Sequence, residues 1–530
     1  MHGRTFASSE TSVAWLLGGE GLPAGIDPAK EALTWVGGSL SYAELRRSAL
    51  AMARALRESG LRVGDTVLCH MFNRGEMFQV YFACAFAGLR MIPASFRLAP
   101  AELRTVVEES NAKLIFTEER LADVAKIAIE NIAHHIDLIE LATMTGGPLF
   151  DQMTRGEVLE GPFERTDPHI ILFSSGTTGK PKGIMLNHSC IMNYAFQQIA
   201  VWPGYNADMR LLVTPAMFNT GGINEITIPT FLVGGTVCIM PSKGWKAERM
   251  SELIDLWQIT HAVIFPTMIV PLLEADGQVG VGLETLRVAI TGGEACPPEK
   301  LNRFRNRWPH VNLLIGYGMT EGGLVSFIGG EEMDKHPYSV GRVTIGQAVK
   351  IADAAGTTLP TGSVGEIMTA GPGVMSGYLN SPELTGEALR GGWLKTGDLG
   401  RMDEDGYLYI EGRSRDMIIS KGQNIFPAEI ESALLRHPSV RLAAVVGVPD
   451  PEFGEAVCAV IVLHEGHSMT EDEVKAYVGE HIASYKKPRH VRFHSNLPVG
   501  TSNKVQKREL AAAIAAEMNV ASASSERSII

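Results

Sequence analysis

The stretch Ile170-Ile-Leu-Phe-Ser-Ser-Gly-Thr-Thr-Gly-Lys-Pro-Lys-Gly183 runs an apolar strand pattern straight into hydroxyls, glycines and two lysines. Residues of these types can wrap phosphate oxygens. Gly176 and Gly179 let backbone N–H groups approach an anion, Ser174, Ser175, Thr177 and Thr178 add hydroxyl donors, and Lys182 adds charge. A Walker A loop is excluded, because only two residues separate Gly176 from Gly179 and Pro181 follows Lys180. Alone, such a stretch is as often a solvated turn as a phosphate site. Gly316-Tyr-Gly-Met-Thr-Glu321 is a second glycine-rich stretch, and it is not a dinucleotide fingerprint, because Glu321 stands where the third glycine belongs.

Elements that could hold these residues recur along the chain. Ser41 and Glu44 form a capping box ahead of an Ala/Leu/Arg-rich helix ending near Gly60, and Val63 to Cys69 reads as a strand. A helix through Phe78 to Phe86 then precedes the apolar Met91 to Ala94, which is βαβ logic and implies parallel sheet. Strand-like runs return at Leu211 to Val213, Thr236 to Met240, Ala262 to Phe265, Leu286 to Thr291 and Val311 to Ile315. From Val349 to Tyr409 short alternating runs broken by Gly, Pro and Asp predict a smaller antiparallel or barrel-like subdomain. Beyond Gly412 to Asp416, the runs Ile430 to Leu435, Leu442 to Val448, Ala456 to Leu463, Glu471 to Ile482 and Val491 to Phe493 read as helix, strand, strand, helix, strand. The tail from Ala511 reads as a short Ala-rich helix followed by Ser-rich residues that fray. The expected fold is α/β: a large N-terminal body of several subdomains over residues 1–412, a connecting segment 413–416 and a small α+β domain over 417–530.

Composition agrees with a globular chain. Of 530 residues, 45% are hydrophobic and 20% charged, which makes disorder and coiled coil poor readings. The net charge of −12 offers no general attraction to polyphosphate and argues against nucleic-acid binding, while leaving room for one locally basic pocket. The six cysteines are scattered through apolar stretches, as reduced thiols would be, and no zinc site is spelled. The apolar run Ile228 to Met240 is too short to span a bilayer, and the first ten residues do not form a leader. A soluble cytoplasmic protein without a membrane segment is expected.

The motifs in their order resemble the adenylate-forming superfamily, which includes acyl-CoA synthetases, peptide-synthetase adenylation domains and luciferases. Ser174 to Gly183 resembles its phosphate-loop signature and Tyr317 to Glu321 its aromatic-x-x-Thr-Glu motif. Thr396-Gly-Asp398, Gly412-Arg413 with the loop to Glu431, and Lys504 resemble its Thr-Gly-Asp motif, hinge and C-terminal catalytic lysine. The resemblance covers most of the chain and implies ATP, Mg²⁺ and coenzyme A. Carboxylate attack on the α-phosphorus would give an acyl-adenylate and pyrophosphate, and CoA would then take the acyl group, with no covalent enzyme intermediate required. It implies that Ser174 to Gly179 with Lys182 hold the phosphates, Thr320 donates to the α-phosphate and Glu321 holds Mg²⁺. Gly293, Glu294, Tyr317, Asp398 and Arg413 would border adenine and ribose, and Lys504 would bridge the acyl carboxylate and phosphate. It further implies that the C-terminal domain is mobile, pivoting at Arg415 so that the loop carrying Lys421 and Gly422 enters the site for thioester formation.

Two departures bear on the carry-over: Asn503 stands where glycine usually precedes the lysine, and Asn219 in Pro215-Ala-Met-Phe-Asn219 replaces the usual gating histidine. Phe218, Asn219, Gly222, Ile223, Gly318 and Met319 are the expected acyl pocket. Acetate-specific relatives place a tryptophan where this chain has Gly318, so a medium-to-long, bulky or polycyclic acid is expected, with aromatic or hydroxylated acids open. Asn219 lacks the charge that pairs with an amino acid's ammonium. An enzyme loading an acyl-carrier protein and a degenerate nucleotide-binding protein are the alternatives, and a homodimer is left open.

Overall fold

Ser41 caps the first long helix as its sequence predicts. In a computed structural model, the Ser41 N–H donates to Glu44 Oε2 at 2.7 Å and the Glu44 N–H donates to Ser41 Oγ at 3.3 Å, starting the helix Tyr42–Glu58. The structure describes residues 12–18, 25–143, 145–161, 163–174, 181–242, 245–275, 282–294, 298–421, 423–450, 452–499 and 505–527. The next helix, Glu76–Ala87, is buried along its whole length, which is why it carries hydrophobic residues on every face.

Three sheets organise the chain. Fourteen of the described strands form the largest. Its parallel part runs through Glu31–Trp35, Thr236–Ile239, Arg210–Val213, His261–Val263, Val288–Gly292 and Asn312–Met319. Asn312–Met319 then pairs antiparallel with Gly323–Gly329, and the sheet continues through Ser339–Val343, Tyr407–Arg413, Trp393–Met402, Gly365–Ala370 and Ala348–Ala352. The short alternating runs after Val349 therefore form the antiparallel end of the same hydrogen-bonded sheet. A second sheet holds Asp137–Leu141, Ala112–Glu118, Thr66–His70, Arg90–Ala94 and Ile170–Ser174 in parallel, then Lys182–Leu186 and Gly377–Tyr378 in antiparallel array. One apolar core, with Phe78, Phe82, Phe231 and Ile223 fully buried, joins the two.

The third sheet is built after the turn Ser414–Asp416, from Ile418–Ser420, Gln423–Ile425, Val440–Asp450, Gly454–Leu463 and His490–Phe493. The C-terminal helix is longer than its sequence predicts, running Lys507–Arg527, and its first half is anchored where Leu510 and Ile514 bury against Val446, Val448 and Val460 of that sheet. Five cysteines, Cys69, Cys84, Cys190, Cys238 and Cys458, are buried free thiols, and Cys296 lies outside the described residues. No helix among the described residues is long and apolar enough to cross a membrane.

Candidate active site

Several of the chemistry-bearing residues follow the carboxyl ends of parallel strands, where open α/β sheets leave a crevice for ligands. Val288–Gly292 leads into Gly293 and Glu294, Asn312–Met319 into Thr320 and Glu321, Arg210–Val213 into the loop with Phe218 and Asn219, and Ile170–Ser174 into the phosphate-loop candidate. Gly292 and Gly316 face each other across the first two of these strands, and a Cβ on Gly292 would lie 2.3 Å from the Gly316 carbonyl oxygen. Glycine is required there by the approach of two backbones.

Asp398 is the most constrained of the predicted site residues. Its side chain is only 7% exposed, the Tyr317 hydroxyl donates to Oδ2 at 2.8 Å, and Arg413 Nε lies 3.0 Å from Oδ1. Strand pairing explains the second contact, because Asp398 and Arg413 are register partners on adjacent antiparallel strands. The Asp398 N–H donates to Thr396 Oγ1, whose own proton goes to the Ile367 carbonyl. Tyr317 has two roles. Its ring packs with Val325, Ile351, Ile367 and Leu408, while burial first and the Asp398 carboxylate second push its phenol up, so that it stays a donor.

Glu321 and Lys182 meet on a residue that the sequence did not single out. The Tyr378 hydroxyl donates to Glu321 Oε1 at 3.1 Å, and Lys182 Nζ lies 5.6 Å from the centroid of the Tyr378 ring. Tyr378 reaches this place because Gly377–Tyr378 pairs with the strand Lys182–Leu186. Thr320 and Glu321 are partly accessible, at the turn between Asn312–Met319 and Gly323–Gly329. Ser174 and Lys182 are register partners at the mouth of the phosphate-loop candidate, while Ser175, Gly176, Thr177, Thr178 and Gly179 lie outside the described residues. Glu294 is exposed, and its Oε1 accepts from the Thr267 N–H at 3.2 Å.

The acyl-pocket expectation is redrawn at several positions. Asn219 is exposed, and its carbonyl accepts from the Gly222 and Ile223 N–H groups, opening the π-helical turn Gly221–Glu225. Phe218 is buried edge-on to Phe96, their ring centroids 5.4 Å apart. Ile223 is fully buried in the main core, and Met319 packs between that core and the Tyr317 cluster. A Cβ on Gly318 would meet the Gly323 carbonyl oxygen at 2.4 Å, so neighbouring backbone excludes a side chain there. A Cβ on Gly222 would likewise strike the Ala216 carbonyl oxygen at 2.5 Å. Both glycines answer to backbone packing, and the argument from Gly318 against small acids loses its basis.

Asn73, unmarked in the sequence, fixes the loop before Asn219. Its Nδ2 donates to the Pro215 carbonyl at 2.8 Å and its Oδ1 accepts from the Met217 N–H at 2.9 Å. In the C-terminal part, Arg415 is half-exposed beside Asp416 in the turn Ser414–Asp416, with 3.6 Å between Nε and Oδ1. Lys421 pairs with Glu452 at 2.7 Å, within its own part of the chain. Gly422, Asn503 and Lys504 lie outside the described residues. Lys507 is held by Glu431 at 2.7 Å.

The AMP-binding enzyme family matches residues 24–379, and the AMP-binding enzyme C-terminal domain matches residues 429–504. A feruloyl-CoA synthase from an Amycolatopsis species is 33% identical over 489 residues, covering 92% of this chain and 96% of its own. An indoleacetate–CoA ligase from Aromatoleum aromaticum is 33% identical over 499 residues with the same coverage. Among solved structures, ATP-bound MatB from Rhodopseudomonas palustris superposes with a TM-score of 0.87 at 29% identity, over 95% of this chain and 99% of that one.

Proposed function

The chain belongs to the AMP-binding enzyme family and is an AMP-forming acyl-CoA ligase, and we propose that its acid is a bulky aryl or arylalkyl carboxylate. The coarse reaction is that of its relatives: a carboxylic acid is activated with ATP, and the acyl group passes to CoA. The aryl reading is supported by two relatives named for ferulate and indoleacetate. The aromatic side chains Phe72, Phe96 and Phe218, packed beside the Pro215 to Asn219 loop, also support it.

The observation that carries the nucleotide site is the convergence of Tyr317 and Arg413 on the two oxygens of Asp398. A carboxylate held by donors on both oxygens is oriented before a ligand arrives, and its remaining lone pairs suit a vicinal diol such as ribose. Arg413, more exposed than Asp398, would extend the same contact, and Gly293 and Glu294 would border the base. Lys182 with the Ser174 to Gly179 loop would hold the phosphates, and Thr320 would donate to the α-phosphate as negative charge develops there. Lys504 would orient the attacking carboxylate.

Glu321 fits a divalent cation. It is an accessible hard-oxygen ligand held by one phenol, and among the described residues it makes no ion pair. When bound, Mg²⁺ would neutralise phosphate charge. For the second half-reaction, Arg415 would pivot the residues after Arg413, and Lys421 and Gly422 would then line the path of the CoA thiol.

The test is acid-dependent ATP–pyrophosphate exchange over a panel of acetate, octanoate, cinnamate, 4-hydroxycinnamate and indoleacetate, followed by thioester formation with CoA. Aryl acids should exceed acetate by about a hundredfold or more in kcat/KM. Equal or better use of acetate would overturn the aryl reading while leaving the ligase reaction standing.

A further inference from the structure

The loops that follow the strands Arg210–Val213 and Thr236–Ile239 carry backbone groups that must find partners beyond the sheet. One side chain from the second sheet meets three of them. Asn73, just past the strand Thr66–His70, donates from Nδ2 to the Pro215 carbonyl at 2.8 Å and to the Met240 carbonyl at 3.3 Å, and its Oδ1 accepts from the Met217 N–H at 2.9 Å. The Pro215 carbonyl and the Met217 N–H flank Ala216 as the two bonds to a parallel-strand partner would, so the side-chain amide stands in for a peptide group. The Asn73 N–H donates to Ser242 Oγ at 3.1 Å.

The residues on either side make Asn73 a fixed point. Arg74 is buried, and its guanidinium donates from Nε and Nη2 to the two oxygens of Glu76 at 3.0 and 2.8 Å, and from Nη1 and Nη2 to the carbonyls of Ala142 and Thr145. A second buried carboxylate, Glu118, stands 3.7 Å from Nη1. On the other side, the Phe72 ring centroid lies 4.6 Å from that of Phe96, the ring that meets Phe218. The three residues are therefore anchored on one sheet and reach the loop 215–219 of the other through an amide and an aromatic contact. Among the described residues, the hydrogen bonds of Asn73 go only to the two loops.

We propose that Asn73 is a positioning residue for the acid: it holds the loop 215–219 where that loop receives the acyl group, and it acts through the loop without contacting acid or nucleotide. The inference rests on the proposed acyl role of this loop. Alanine at 73 leaves two carbonyls and one N–H to be satisfied by water, and the loop shifts as water enters. Aspartate keeps the acceptor for the Met217 N–H but sets an anion against the Pro215 and Met240 carbonyls. The nucleotide candidates Tyr317, Asp398 and Arg413 hold one another on other strands and keep their places.

Steady-state exchange kinetics with cinnamate, indoleacetate and octanoate test it, beside ATP binding by calorimetry and melting curves. Asn73→Ala is expected to raise KM for the acids roughly tenfold, the effect of losing a pair of ordinary hydrogen bonds, and to hold KM and Kd for ATP within about twofold of wild type. Asn73→Asp should raise the acid KM at least as much. A role in stability alone would lower the melting temperature and the active fraction while leaving every KM in place, and that result overturns the assignment, as does an equal rise for acid and ATP. Should Asn73→Ala fail to fold, Ser242→Ala, which removes only the acceptor of the Asn73 N–H, is expected to raise the acid KM about threefold with ATP unchanged, and no rise overturns the proposal. Phe218→Leu, a change within the loop itself, separates the two readings. An acid KM moved by Phe218→Leu but not by Asn73→Ala sinks Asn73 and keeps the acyl loop, and an acid KM moved by neither folded variant overturns both.

Discussion

Tyr317 and Asp398, eighty-one residues apart, share a 2.8 Å hydrogen bond that ties the strand of the Thr-Glu motif to the strand of the Thr-Gly-Asp motif. Replacing the phenol with phenylalanine keeps the ring in its apolar cluster and removes only the donor. Tyr317→Phe should therefore fold normally and raise KM for ATP about tenfold, the usual effect of losing one hydrogen bond to a charged group. ATP titration of the exchange reaction measures it. An unchanged KM would mean that the orientation of Asp398 is set by Arg413 and Thr396 alone.

Glu321→Gln keeps the volume and the hydrogen bond from Tyr378 while deleting the anion. The expected result is a folded protein whose activity demands much higher Mg²⁺, with kcat down by at least about a hundredfold at ordinary concentrations. Mg²⁺ dependence identical to wild type would assign Glu321 a purely structural role.

Lys504→Ala should reduce acid-dependent exchange by about 10²–10³ while sparing thioester formation from a supplied acyl-adenylate. Lys507 is no substitute, because Glu431, which also accepts from the Val445 N–H at 2.7 Å, holds its ammonium within the C-terminal part. Lys507→Ala should accordingly leave exchange near the wild-type rate and lower the melting temperature. The opposite pattern would exchange the roles of the two lysines.

Gly318→Ala places a methyl 2.4 Å from the Gly323 carbonyl oxygen, where neither strand can yield without breaking its partner's register. A loss of about 1–3 kcal/mol is expected in a denaturant titration, with activity on short and long acids falling together. A folded variant that instead shifts preference toward short acids would restore Gly318 as a residue that makes room for larger acids.

Buried imidazoles give the stability a direction with pH. Burial lowers His70 and His261 to about 4, and lowers His188 to about 3. Burial, with the stacked His188 ring, takes His169 well below its ordinary value. Above the unfolded value of about 6.5 both states are neutral and these groups contribute no pH dependence. As pH falls from there toward 4, the unfolded chain takes up protons that the folded chain refuses, so stability drops by roughly 1.4 kcal/mol per pH unit for each group. Melting temperatures should be nearly level from pH 8 to 7 and fall steeply between pH 6 and 5. His70→Gln should flatten that fall, and a level profile in the wild type down to pH 5 would contradict the assignment.

The sequence was legible where chemistry is local in the chain. The capping box at Ser41, the parallel strands and the two motif strands carry their own residue types, and they appear within a few residues of where they were expected. Contacts made across the fold were not legible. Tyr378 reaches Glu321 across 57 positions and Asn73 reaches Pro215 across 142, and neither has neighbours that mark it. Gly318 was misread for a related reason. A missing side chain looks the same in one dimension whether a ligand or another strand needs the space, and only the pairing with Gly323–Gly329 decides.

Arg413 ends its strand, and the turn Ser414–Asp416 begins at the next residue, stitched back by Ser414 Oγ donating to the Gly397 carbonyl at 3.2 Å. The proposed ribose contact and the proposed joint therefore share one rung of the sheet. Reciprocity then applies: if loading Arg413 with nucleotide restrains the joint, any change of the joint alters nucleotide affinity by the same factor. Release of AMP and reorientation of the residues beyond the turn would then be a single linked equilibrium. A substitution that loosens Ser414 should register in nucleotide binding although it touches no nucleotide.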